Sequence, residues 1–173
     1  MASLQSGWGG ALYRVAVLES AAGRVTSEMQ ARFMGCTPLL LTRGEHFGAF
    51  SGTYDLFVAV EGGAEEEIPD LTARVLLVPG SIPQKTMAGI SSGWVVSYGL
   101  SGKDSITLSS LEPGFAVLAL QRELVTLEGK VVEQQEIPLS FSQSLDSQGL
   151  MAVYGSLLVL GKKPEAIARH LEE

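Results

Sequence analysis

The chain has 173 residues, 46% apolar and 18% charged, which suits one ordinary folded domain and is too hydrophobic for a disordered segment. Twelve Lys and Arg against 19 Asp and Glu leave a formal charge of −7, which argues against nucleic-acid and anionic-membrane partners. The one cysteine, Cys36, rules out an internal disulfide and Cys₄ or Cys₂His₂ zinc sites, and reads as a small core residue.

From the N-terminus, Gly7-Trp8-Gly9-Gly10 precedes a stripe of Ala11, Val15, Leu18 and Ala22, widened by Leu12 and Ala16. That spacing predicts a helix from Ala11 to Ala22 with Gly23 as its stop. Met29, Phe33 and Met34 predict a second short helix ended by Gly35. Leu39-Leu40-Leu41 reads as a strand after Pro38, and Thr42 to Thr53, with three glycines, as a loop. Three apolar runs follow: Leu56 to Val60, Val75 to Val78 and Trp94 to Tyr98, each bounded by Gly, Pro or a charged residue. Such short, nearly continuous runs predict strands covered on both faces, hence a parallel sheet. Their connectors leave room only for brief helices.

After Gly99 the texture changes. Ser105 to Ser110 alternates, Phe115 to Leu120 and Glu123 to Leu127 are strand-like, and Glu128-Gly129 is a hairpin signal. An antiparallel meander ending near Phe141 is expected, then a polar linker from Ser142 to Gly149. Leu150 to Leu160 reads as a helix ended by Gly161, and Pro164 opens a last helix toward His170 as an N1 proline. The fold class is therefore α/β: a mostly parallel sheet with flanking helices, extended by an antiparallel β meander, as a single domain over residues 1–173. The first residues lack the basic flank and apolar run of a signal peptide. Leu150 to Leu160, the longest apolar stretch, is too short to span a bilayer. A cytoplasmic location is expected.

The candidate chemistry is sparse. Gly7, Gly9 and Gly10 sit where a phosphate loop would end in Gly-Lys-Thr, but Ala11 and Leu12 stand in place of Lys and Thr. The first loss removes the cation for the β/γ-phosphates and the second the hydroxyl that helps to hold Mg²⁺. Backbone N–H groups at that turn remain an anion-binding alternative. Gly99 to Asp104 has the wrong glycine spacing for a phosphate loop and reads as a turn. Gly89-Ile90-Ser91-Ser92-Gly93 matches G-x-S-x-G, with Asp104 or Asp146 and then His170 in the order of a hydrolase triad; a strand follows Ser91 instead of a helix, which favours a plain glycine-serine loop. Glu61, Glu65, Glu66, Glu67 and Asp70 read as a solvated loop, with Glu61 retained as a metal-ligand candidate at a strand's carboxyl end. His46 has no second His at metal spacing, and Trp8 and Trp94 read as core or subunit-contact residues.

Four stretches, taken in order, resemble the Mur ligase family, the ATP-dependent amino-acid-adding enzymes of peptidoglycan synthesis. They are Gly7 to Gly23; Tyr54 to Gly62; Val95-Val96-Ser97-Tyr98-Gly99-Leu100 with Asp104 to Thr107; and Ile137-Pro138-Leu139 through Leu160-Gly161-Lys162 to Pro164-Glu165-Ala166-Ile167. The resemblance implies an abbreviated version of the family's central ATPase domain. It also implies losses. The His-Asn…Asn signature falls on Leu145-Asp146 and Gly149, and no segment between Pro79 and Trp94 accommodates the catalytic His and carbamoylated Lys. The family's C-terminal ligand-binding domain has no counterpart up to Glu173. Glu61, a counterpart of the family's metal-binding Glu, is the one functional residue carried over, and a lone carboxylate makes a poor Mg²⁺ site. The expectation is a non-catalytic, peptidoglycan-related scaffold that binds a protein partner or a second copy of itself, with no catalytic residue and no cofactor. Residual ATP-Mg²⁺ or anion binding at Gly7–Gly10 and a serine hydrolase using Ser91 are the alternatives.

Overall fold

The computed structural model describes residues 12–33, 39–60, 70–141 and 145–168. One eight-stranded mixed sheet organises them. Its strands are β1 (Tyr13–Leu18), β2 (Leu39–Gly44), β3 (Gly52–Ala59), β4 (Leu71–Pro79), β5 (Ile90–Tyr98), β6 (Ile106–Glu112), β7 (Phe115–Leu120) and β10 (Gln135–Ser140). The order across the sheet is β10-β7-β6-β5-β4-β3-β1-β2. From β2 to β6 every pairing is parallel, and β7 and β10 add antiparallel strands. A separate small ribbon pairs β8 (Leu124–Val125) with β9 (Val131–Val132) around Gly129, whose φ of 80° suits the hairpin turn. The expected α/β sheet with a meander is thus observed.

The first segment differs from expectation. Tyr13 to Leu18 is the strand β1, not a helix, and Gly23 precedes a helix instead of ending one. Val15, Ala16, Val17 and Leu18 are all buried because β1 lies between β2 and β3 with both faces covered. A run of four buried residues satisfies a helical stripe and a central strand equally, and β-branched Val15 and Val17 favour the strand. Ser91 also lies within a strand: β5 begins at Ile90, so Gly89 to Gly93 is not a loop. The linker forecast for Ser142 to Gly149 ends earlier, since Asp146 caps α3.

Two cores flank the sheet. On one face α1 (Arg24–Phe33) and α3 (Ser147–Val159) pack on Val15, Val17, Leu56, Val58, Val75 and Leu77. Every residue of α3 from Gly149 to Val159 is buried, so this helix is apolar all round, and Gly155 lets it approach Ile106 and Leu77. The opposite face is covered by Phe47 and Phe50 from a 3₁₀ turn (Phe47–Ala49), with Tyr54, Phe57, Leu76 and Ile82. Phe50 and Phe57 meet edge to face at 5.0 Å between centroids. α2 (Gln84–Met87) is a single short turn between β4 and β5, and α4 (Pro164–Ala168) packs against β10. No helix among the described residues is long and apolar enough to cross a membrane.

The carboxyl edge of the sheet is braced from within. β5 and β6 pair only at Tyr98 and Ile106, so β6 runs on past the end of β5. The Tyr98 hydroxyl donates to the Ala59 carbonyl at 2.6 Å, tying β5 to β3 across β4. Asp104, buried in the β5–β6 turn, accepts the Ser101 N–H at 3.1 Å. Its carboxylate lies so close to Gly80 and Gly99 that a Cβ at either position would overlap it.

Candidate functional site

Strand order 2-1-3 makes the carboxyl ends of β1 and β3 a topological switch point, the place where open α/β sheets present ligands. A crevice of about 310 Å³ lies there. Glu19, Ser20, Ala22, Arg24 and Val25 line it from the β1–α1 turn, Val60 from the end of β3, and Leu145, Asp146 and Gly149 from the start of α3.

The β1–α1 turn has the strand–loop–helix form of a phosphate loop. On this turn the two glycines, lysine and hydroxyl residue of G-x-x-x-x-G-K-[ST] fall on Leu18, Gly23, Arg24 and Val25. Gly23 is kept, with a φ of 60° that an L side chain resists. A cation, Arg24, stands at the lysine position. Leu18 and the buried Val25 replace the first glycine and the magnesium-binding hydroxyl. This placement corrects the expectation that the glycine turn at residues 7–10 precedes a helix: the segment after it is β1.

The helix N-terminus that would cradle a phosphate already holds an anion. Glu19 is 5% exposed, and its two carboxylate oxygens accept the backbone N–H groups of Val25 at 3.0 Å and Thr26 at 2.9 Å. The Thr26 hydroxyl donates to the same carboxylate. Arg43 Nε stands 3.9 Å from Glu19 Oε1, and an Arg43 guanidinium nitrogen donates to the Ser20 carbonyl at 2.7 Å. A second helix opens on the same crevice, and Asp146 caps it by accepting the Gly149 N–H at 2.7 Å. Two positively polarised helix ends therefore face one crevice, each neutralised by a carboxylate of the chain itself.

This arrangement does not fit ATP-Mg²⁺. The hydroxyl that would ligate magnesium is a buried valine, and Glu19 occupies the amides that would bind phosphate. Among the described residues no group of three or more His, Cys, Asp and Glu is placed to hold a metal ion.

Of the residues singled out from sequence, Gly7, Gly9, Gly10, Cys36, Glu61 and His170 lie outside the described residues; Val60, next to Glu61 in sequence, lines the crevice. Ser91 lies on β5 opposite Thr72 of β4, exposed, and not on the strand-to-helix elbow that a hydrolase nucleophile needs. Its proposed partners are separated by the fold: Asp104 is buried against Gly80 and Gly99, and Asp146 caps α3. Trp94 is 39% exposed, neither core nor ligand-lining. Sequence reasoning missed Glu19, Arg24 and Val25; the signal available was Gly23-Arg24 between a β-branched run and an amphipathic Val25, Met29, Phe33 stripe.

No family model matches the chain, and no curated protein is significantly similar to it.

Proposed function

We propose that this chain is a non-catalytic relative of the Mur ligase central domain that acts by binding, as a scaffold, and not by nucleotide turnover. The observation that carries the reading is the Glu19 carboxylate seated on the α1 amides at the switch point, beside an Arg24-Val25 pair where a phosphate loop has Lys and Ser or Thr. An ATP site must present those amides to phosphate; here they are engaged by the chain's own anion.

The test is thermal unfolding of the chain with and without ATP-Mg²⁺, ADP and UDP-sugar nucleotides, alongside a phosphate-release assay. A bound ligand at 100 times its Kd stabilises by about 2.7 kcal/mol, a shift of several degrees in a domain of this size. No shift and no release are expected. ATP-Mg²⁺ binding with turnover would overturn the reading. A shift without turnover would favour a residual nucleotide or anion binder, and ester hydrolysis abolished by Ser91→Ala would favour the hydrolase.

A further inference from the structure

We draw no further inference here: the strongest candidate, the crevice of about 310 Å³ between the β1–α1 turn and the start of α3, belongs to the site already described, and its helix-end amides are held by the Glu19 and Asp146 carboxylates, with no buried side-chain polar atom left without a partner among its described lining residues to select a ligand.

Discussion

Glu19→Ala is the sharpest perturbation of the crevice. The substitution removes an acceptor from two α1 N–H groups and from the Thr26 hydroxyl, at a position 5% exposed. Loss of a side-chain cap costs ~1 kcal/mol and loss of an anion at a helix N-terminus up to a further ~1 kcal/mol. Leaving buried donors unpaired adds to that, while relief from burying a charge and water entry from the open crevice subtract. The net expectation is about 2–3 kcal/mol of destabilisation, or about 5–10 °C in melting temperature for a domain of this size. Glu19→Gln keeps an acceptor and should lose roughly half as much. The same variants test the anion argument. With the carboxylate gone, the Val25 and Thr26 amides face the crevice unoccupied beside Gly23 and Arg24. Millimolar pyrophosphate should then raise the melting temperature of Glu19→Ala and leave the wild type unmoved. Differential scanning calorimetry on the three proteins, with and without pyrophosphate, measures both effects. A Glu19→Ala protein within about 0.5 kcal/mol of wild type would refute the capping role, because that is the scatter of a surface substitution. A wild type that pyrophosphate stabilises as strongly as the variant would refute the claim that Glu19 closes the site.

Three further outcomes follow from the packing. Gly80→Ala drives a Cβ into the Asp104 carboxylate and should cost about 1–3 kcal/mol; adding Asp104→Ala should recover part of it, and a double-mutant cycle by urea unfolding that shows simple additivity would contradict the contact. Gly155→Val brings branches toward Ile106 and Leu77 from a Cβ only 3.0 and 3.2 Å away, so a loss of about 1–3 kcal/mol is expected in the same assay, and unchanged stability would show that α3 can shift off the sheet. Burial raises the Tyr154 hydroxyl above its ordinary value, opposed by the Arg32 guanidinium 4.9 Å from the ring centroid. The folded state thus holds this proton more tightly than the unfolded one, so its contribution is full below about pH 10 and is lost as pH rises through the folded value. Tyr154→Phe forfeits the 3.2 Å bond to the Ser140 carbonyl, worth ~1 kcal/mol at pH 7, but is spared that alkaline loss. The gap between variant and wild type should therefore narrow above about pH 10 in chemical unfolding, and a constant gap would mean that the hydroxyl titrates alike in both states.

How far the chain could be read from its residues depended on whether local pattern or distant neighbours set each element. β3, β4 and β5 announced themselves, because a β-branched run between Gly, Pro or charge has few other fates. So did the β8–β9 turn at Gly129 and the long apolar helix α3. β1 did not. Val15-Ala16-Val17-Leu18 fits either period, and only the strands on both sides of it decide. That one misreading put a helix after the glycines at 7–10 and hid the strand–turn–helix unit around Gly23. Asp146 was legible as a polar residue before a helix, but its capping role required the helix to start at Ser147, three residues ahead of the apolar run. Glu19 was beyond sequence reasoning, since its partners Val25 and Thr26 come within reach only once Gly23 adopts its positive φ and folds the turn back. That β5 meets β6 only at Tyr98 was likewise invisible, because it depends on where β6 begins.

The distribution of satisfied polar groups links these points. Three carboxylates stand on or next to the carboxyl rim of the sheet, where an α/β protein ordinarily meets its ligand. Glu19 is bound to the α1 amides, Asp146 to the start of α3, and Asp104 to the Ser101 amide against Gly80 and Gly99. Each, a carboxylate of the chain itself, holds a backbone turn in place. Between Ile90 and Val96, β5 pairs with β4 and with no second strand among the described residues, and this span carries no charged residue. The amides at both helix ends of the crevice are engaged by the chain's own carboxylates, which fixes those turns whatever lies in the crevice.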